Sequence, residues 1–368
     1  MQRVIISGGG TGGHIFPAIS IAQTLKKRYP EVEILFIGAE GRMEMTKVPQ
    51  AGFQIKGLPV RGLYRKQIWR NVGVLWDFIK SLTMARDIIR SFRPQIVIGV
   101  GGYASAPTLK AAQSLGIKTL IQEQNSYAGV SNKLLSRRAD KICVAYPDME
   151  RFFPKDRIVQ TGNPIRAQIE YMGDIDRAEA LTYFGFSAEV SQVVLVVGGS
   201  LGARTINQSI AKCLEAWSSS GVALIWQTGT SYQEEAQAIL KGYKGELYCK
   251  AFIERMDLAY YLADLVISRA GAGSISELCL LGKPSILVPS PNVAEDHQTK
   301  NALALSERGA AVLIPDREAE ARLTDEALAL VYDRTKLDEL SKNILKLAYH
   351  KAADKIVDEV VALSGQGQ

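Results

Sequence analysis

At 368 residues, 47% apolar and 22% charged, the chain is long enough for two domains that each bury a core of their own. The composition is that of a soluble globular protein, and no apolar run reaches the ~18 residues needed to span a bilayer. A net charge of +6 favours anionic partners such as nucleotides, diphosphates or acidic lipid surfaces.

The N-terminus enters a strand at once, Arg3 to Ser7, so no signal peptide is expected. A glycine-rich turn, Gly8 to Gly13, and His14 follow. A helix is predicted from Ile15 to Tyr29, with Pro17 in its first turn, where proline is tolerated. With a strand at Glu33 to Ile37 the chain opens β-α-β. Gly8, Gly10 and Gly13 match GxGxxG, but no acidic residue closes the second strand to take a ribose: Gly38 and Ala39 stand there and Glu40 comes late. A P-loop is excluded because GxxxxGK[ST] does not occur.

Between 61 and 92, Arg61, Arg65, Lys66 and Arg70 alternate with Leu63, Tyr64, Ile68 and Trp69; Val72, Leu75, Trp76 and Ile79 then recur at helical spacing. Basic residues mixed with aromatics suit a membrane interface, and a core-facing helix behind a solvated basic loop would give the same pattern. A strand at Gln95 to Val100 ends in a second glycine-rich turn, Gly101 to Pro107, and a strand at Lys118 to Gln122 ends in Glu123, Gln124 and Asn125. Both turns sit where parallel α/β sheets bind ligands, at the carboxyl ends of strands. Further strands are predicted at Lys141 to Val144 and Asp156 to Gln160, and the turn Gly162-Asn163-Pro164 marks a domain boundary. Asp174 and Asp176 form a DxD pair, but with a polar helix after them and no strand before, a helix N-cap is favoured over a metal site.

The second half restarts the rhythm. Val193 to Val197 is a continuous apolar strand, followed by the turn Gly198 to Arg204 and a helix to about Trp217. Strands are predicted at Ala223 to Gln227, Glu246 to Cys249, Leu265 to Ile267, Ser285 to Pro289 and Ala311 to Ile314, with helices from Thr324 to Leu363. After Leu265 to Ile267 come a turn, Arg269 to Gly273, and a helix with Glu277 in its early turns. Strand, glycine-rich turn and helix start together make an anion site, because backbone N–H groups and the helix dipole point the same way. Glu277 suits paired ribose hydroxyls rather than phosphate. The stretch reads as a sugar-nucleotide site or as an ordinary turn with a buried helix cap. Cys143, Cys213, Cys249 and Cys279 are scattered, without a CxxC pair or a His cluster, and read as buried free thiols. The expected fold class is α/β: two Rossmann-like doubly wound domains with an interdomain cleft.

The ordered motifs GGGTGGHIFPA at 8–18, GGYASAP at 101–107, QEQN at 122–125, GNPIR at 162–166, GGSLGAR at 198–204, RAGAGSISEL at 269–278 and DHQTKNA at 296–302 resemble the MurG family, over nearly the whole chain. The resemblance implies a GT-B fold and an inverting transfer of N-acetylglucosamine from UDP-N-acetylglucosamine to lipid I, giving lipid II for peptidoglycan. It implies domains at 1–163 and 164–345, with 346–368 packing back on the first. By that resemblance Glu277 would bind the ribose, Ser200 the diphosphate and Ile253 the uracil. Arg166, Gly271, Ala272, His297 and Gln298 would complete the donor pocket, approached by Thr11, Gly12, Gly13 and Asn125. Gly9, Gly10, Gly101, Gly102, Tyr103 and Ser105 would cradle the acceptor diphosphate. Leu201 and His297 stand where members often carry Gln.

No tightly bound cofactor and no protein metal site is implied; a divalent cation such as Mg is left open. Expected partners are UDP-N-acetylglucosamine, lipid I and the anionic surface at the cytoplasmic face of the bacterial inner membrane. That surface would be met peripherally through Arg65, Lys66, Ile68, Trp69, Arg70, Leu75 and Trp76; no nucleic acid is expected. His14 closes its turn facing the acceptor, where a neutral imidazole could act as general base; helix capping or a phosphate contact is the alternative role, and Glu123 and Asp296 are the other candidate bases. Rival readings are a UDP-N-acetylglucosamine epimerase, an NAD-dependent oxidoreductase and a nucleotide-sensing membrane protein.

Overall fold

The computed structural model describes residues 1–62, 71–199, 202–293 and 296–365, and these form two compact units. The first comprises Met1–Arg166 together with Lys351–Gln368, the second Ala167–His350. The chain thus divides at 166 and 350 rather than at 163 and 345, which leaves Arg166 with the first unit.

In the first unit the order is β1 (Arg3–Ser7), α1 (Gly12–Arg28), β2 (Glu33–Ala39), α2 (Glu44–Gln50), β3 (Gln54–Leu58), α3 (Asn71–Phe92), β4 (Ile96–Gly99), α4 (Ser105–Ser114), β5 (Lys118–Glu123), α5 (Val130–Ser136), β6 (Lys141–Val144) and β7 (Ile158–Gln160). The described strands form one parallel sheet in the order β3-β2-β1-β4-β5-β6-β7. β1 shows why its sequence is apolar on both sides of the pleat. Ile5 enters one core with Leu109 and Ile121, while Val4 and Ile6 enter a second core with Ile21 and Leu25 of α1.

The second unit runs α6 (Ala167–Glu170), α7 (Arg177–Phe184), β8 (Val193–Val197), α8 (Arg204–Lys212), α9 (Leu214–Ser219), β9 (Ala223–Gln227), α10 (Gln233–Ile239), β10 (Leu247–Lys250), α11 (Met256–Leu262), β11 (Leu265–Ser268), α12 (Ala272–Leu281), β12 (Ser285–Leu287), α13 (His297–Ser306), β13 (Val312–Leu313), α14 (Asp316–Tyr332) and α15 (Arg334–Leu345). Its described strands are again parallel, in the order β10-β9-β8-β11-β12-β13. The last helix, α16 (Ala352–Leu363), returns to the first unit. There Ile356, Val357 and Val360 fill the core beside α1, and Arg28 pairs with Asp358 at 2.8 Å.

Three local departures from the predicted elements have clear causes. α1 begins at Gly12, not Ile15, because Thr11 is the N-cap and both Gly13 and His14 join the first turn. The helix expected to reach Trp217 is two helices broken at Cys213, whose φ of −115° is not helical. Asp176 caps α7, its carboxylate accepting from Ala178 N at 3.3 Å, which accounts for the DxD pair. The four cysteines are free thiols, and Cys143 and Cys279 are buried while Cys213 and Cys249 are half-buried.

In each sheet the strand order reverses once, between β1 and β4 and between β8 and β11. These switch points are where open α/β sheets leave a crevice at the carboxyl ends of their strands. At the first, Gly102 has a φ of +88°, and a Cβ there would come 2.1 Å from the Gly9 carbonyl oxygen. Gly116 has a φ of +71° with open space around it. Gly116→Ala should therefore cost only the left-handed penalty of about 1 kcal/mol. Gly102→Ala should cost at least about 2 kcal/mol more, since backbone must move. Paired thermal melts check this; equal losses would mean that the two turns do not interlock.

Candidate active site

The first switch point is built from two turns that hold each other. Gly9 N–H donates to the Gly101 carbonyl at 3.2 Å, and His14 Nδ1 lies 3.1 Å from the Gly9 carbonyl. A carbonyl only accepts, so Nδ1 carries the proton of this bond, and in the neutral ring Nε2 is the acceptor. The imidazole packs on Gly101: a Cβ there would sit 2.6 Å from Cδ2 and 2.8 Å from Nε2. Thr11 Oγ1 is 3.4 Å from the same Nδ1. His14 does not cap the helix; Thr11 holds the N-cap position.

This geometry revises the phosphate cradle expected at the turns. The Gly9 amide is spent on Gly101, and the Gly10 amide donates to Glu44 Oε2 at 2.8 Å. The amides of Gly12 and Gly13 open α1 and have no carbonyl one turn back to bond, so the anion-binding end of the helix lies there. Ser105 Oγ is buried against Gly99, where a Cβ would come within 2.7 Å of it, and so does not present its hydroxyl at the surface. Tyr103 is exposed, with the Arg42 guanidinium 5.9 Å from its ring centre.

Glu123, at the end of β5, is 2% exposed and fully engaged. Oε1 accepts from Asn125 N at 3.1 Å and Asn125 Nδ2 at 3.3 Å; Oε2 accepts from Gly129 N at 3.1 Å and Asn132 Nδ2 at 2.8 Å. It orients Asn125, and four donors occupy its two oxygens. Buried side-chain amides fix the neighbouring loops. Gln122 Nε2 donates to Asn163 Oδ1 at 2.9 Å, Gln124 Nε2 to the Val100 carbonyl at 2.7 Å and Asn163 Nδ2 to the Gln124 carbonyl at 3.0 Å. The QEQN and GNPIR motifs are thus largely one internal network.

At the second switch point, α8 and α12 both present N-termini at the carboxyl ends of their strands. Ser200 and Leu201 lie outside the described residues. Beside them Gly199 has a φ of +84° and open space around it, as does the Cβ position of Gly273 in the first turn of α12. Gln227, 2% exposed, ties this end together: Nε2 donates to the Gly199 carbonyl at 3.2 Å and Oε1 accepts from Ile253 N at 3.0 Å. Ile253 is itself wholly buried, so its side chain offers no face to a base; its neighbour Phe252 is 51% exposed.

Glu277 stands in the second turn of α12, behind Gly271 and Ala272, and is largely buried; Tyr260 OH donates to its Oε2 at 3.0 Å. Cys279 on the same helix has its thiol pushed up to about 12 by burial and stays protonated. Arg269 does not face a ligand: Nη1 donates to the carbonyls of Val288 at 3.1 Å and Pro289 at 3.2 Å and pairs with Asp316. Gln298 Oε1 accepts from Ser290 N at 2.8 Å, which turns its amide nitrogen outward from that bond. His297 opens α13 next to Asp296, which has a φ of +52° and accepts from the Thr299 hydroxyl at 2.6 Å. Among the described residues no group of three His, Cys, Asp or Glu side chains is placed to hold a metal ion.

Sequence reading passed over Glu44, Gln227 and Tyr260. Each contacts a motif residue far along the chain, and nothing local marks it.

Family models match both halves: the glycosyltransferase family 28 N-terminal domain over residues 4–144 and its C-terminal domain over 193–357. A protein of Porphyromonas gingivalis is 64% identical over 362 residues, covering 98% of this chain and 95% of its own. It is named UDP-N-acetylglucosamine--N-acetylmuramyl-(pentapeptide) pyrophosphoryl-undecaprenol N-acetylglucosamine transferase.

The chain belongs to the MurG family.

A protein of the same name from Parabacteroides distasonis is 60% identical, with 98% of both chains covered. The solved structure of MurG from Acinetobacter baumannii superposes with a TM-score of 0.76 at 28% identity, covering 98% of this chain and 100% of that one. The two Rossmann-like parallel α/β units are those of the GT-B fold. A UDP-N-acetylglucosamine 2-epimerase shares it at a TM-score of 0.68 and 15% identity over 99% of this chain and 96% of its own, a likeness of fold alone.

If Glu277 holds a ribose through a carboxylate that Tyr260 steadies, Glu277→Ala should weaken UDP binding about tenfold to a hundredfold, the worth of a charge-assisted hydrogen bond. Tyr260→Phe should weaken it about threefold, by loosening the carboxylate without removing it. Titration calorimetry with UDP measures both; unchanged affinity in a folded Glu277→Ala protein refutes the assignment.

Proposed function

We propose that this chain is an inverting glycosyltransferase that moves N-acetylglucosamine from UDP-N-acetylglucosamine to the C4 hydroxyl of the muramyl sugar of lipid I, forming lipid II. The observation that carries this reading is 64% identity along 98% of the chain to a protein named for that transfer, in a chain whose two switch points each offer helix N-termini to a diphosphate. The epimerases share only the fold.

The donor belongs to the second unit. Its diphosphate lies at the N-termini of α8 and α12, aided by Ser200, with the ribose on Glu277. The uracil lies by the loop after β10, where Ile253 is buried with its amide held by Gln227 and Phe252 is exposed. Gly271, Ala272, His297 and Gln298 line the sugar. The acceptor diphosphate takes the amides of Gly12 and Gly13 and the turn at Gly101, Gly102 and Tyr103.

In the reaction the acceptor oxygen forms a bond to the anomeric carbon as the bond to the UDP phosphate oxygen breaks. The hydroxyl proton passes to His14 Nε2, whose tautomer is set by the Nδ1 bond to Gly9. Helix dipoles stabilise the charge left on UDP.

The protein meets the cytoplasmic membrane surface peripherally. No described helix is long and apolar enough to cross a membrane. On α3, Leu75, Trp76 and Ile79 are 62%, 70% and 48% exposed and share one helix face. Arg65, Lys66, Ile68, Trp69 and Arg70 precede that face and lie outside the described residues.

Mixing the protein with UDP-N-acetylglucosamine and a lipid-diphosphate muramyl acceptor should release UDP only when both are present. Donor conversion without acceptor would instead indicate an epimerase, and no turnover a binding protein. His14→Ala should lower kcat about 10²–10⁴-fold with donor KM nearly unchanged, and should remove the acidic limb of the kcat profile. Retention of both would move the base elsewhere. Leu75→Ser with Trp76→Ser should cut binding to anionic vesicles at least about tenfold while sparing a short-chain soluble acceptor, since each side chain loses an apolar burial of about 1.5–3 kcal/mol. Undiminished vesicle binding would place the membrane contact off α3.

A further inference from the structure

Glu44 is 1% exposed, yet its carboxylate lies directly behind the Gly8–Gly13 turn. Oε1 accepts from Ala39 N at 3.0 Å and Oε2 from Gly10 N at 2.8 Å. Gly9 and Gly10 have φ of +154° and +88°, and a Cβ on Gly9 would come 2.2 Å from the Glu44 carboxyl carbon. The turn is glycine so that the carboxylate can reach the backbone. The amide it holds belongs to the Gly9–Gly10 peptide, and the carbonyl of that same trans peptide accepts from His14 Nδ1 at 3.1 Å. Carboxylate, peptide and imidazole form one hydrogen-bonded line.

We infer that Glu44 is a positioning residue for the transfer, acting on His14 through the Gly9–Gly10 peptide. A carboxylate on the N–H of a peptide increases the negative charge on its carbonyl oxygen. That strengthens the Nδ1–H bond, holds the tautomer with Nε2 as acceptor and favours the imidazolium once Nε2 has taken a proton. The arrangement does through a peptide what a carboxylate does when bonded directly to a catalytic imidazole.

Among the described residues, the other charged or titratable groups near the turn are Tyr103, whose ring lies against Gly10, and Arg42, Glu40 and Glu123. Arg42 stacks on Tyr103, the Glu40 stem packs where a Cβ of Gly57 would be, and Glu123 holds Asn125, Gly129 and Asn132. The inference rests on His14 as base, and the test separates the two.

In the full-length wild-type protein, long-range ¹H–¹⁵N spectra should show His14 as the Nδ1–H tautomer, and the Gly10 amide proton should titrate with the same midpoint as the His14 ring. An Nε2–H ring, or a Gly10 amide indifferent to that titration, overturns the coupling without any variant. Glu44→Gln should lower the His14 midpoint by about 0.5–1 unit. It should move the acidic limb of kcat down with it and lower kcat about three- to tenfold, with donor KM unchanged. Glu44→Asp, which keeps the charge, should recover part of the midpoint. A limb that vanishes in His14→Ala but stays in place in Glu44→Gln refutes the coupling and keeps the base. A His14 midpoint that moves while the limb does not refutes the base and keeps the coupling.

Discussion

A hydrogen bond from the Gly9 amide to the Gly101 carbonyl closes the crevice between β1 and β4, and the site in the first unit depends on it. Parallel pairing of β1 with β4, in register from Val4 opposite Ile96 to Ser7 opposite Gly99, delivers two loops to the same place. They fit only because Gly102 has no side chain, since a Cβ there would come 2.1 Å from the Gly9 carbonyl oxygen. From that contact follow the start of α1, the direction of its first amides and the seat of His14 on Gly101. In the second unit the end of β8 and the loop after β10 are bridged by the Gln227 side chain.

Three buried carboxylates organise these loops, and each is compensated in its own way. Glu44 is held by two backbone amides, Glu123 by two amides and two side-chain amide groups of asparagine, and Glu277 by the Tyr260 hydroxyl. A buried carboxylate with every donor supplied internally is scaffolding. Glu277 differs in being held at Oε2 by a side-chain hydroxyl, that of Tyr260, rather than by a backbone amide. The same logic separates Arg269, consumed by Asp316 and two carbonyls, from a phosphate-binding arginine.

The strands were legible because a sheet covered on both faces needs runs such as Val193–Val197, with no polar alternation to confuse them. The glycine-rich turns were legible as places, and the ordered motifs as a family. What stayed hidden was the assignment of individual hydrogen bonds. Glycine counts cannot tell an amide that opens a helix, as at Gly12, from one aimed at Glu44, as at Gly10. For Ser105 and Ile253 the sequence showed the loop but not the burial of the side chain, because side-chain direction within a packed turn is set by tertiary contact. Helix ends failed for the same reason: Gly12 and Gly13 are poor helix formers that tertiary packing holds in the first turn of α1.

The proposed function divides the labour, with nucleotide at the strand ends of the second unit and acceptor diphosphate at those of the first. Amide hydrogen exchange with UDP alone and with a lipid-diphosphate acceptor analogue alone tests it most directly. UDP should slow exchange at 202–206, 252–254 and 271–275, and the acceptor analogue at 11–14 and 101–104. Protection of 11–14 and 101–104 by UDP alone, with the second unit unchanged, would overturn that division.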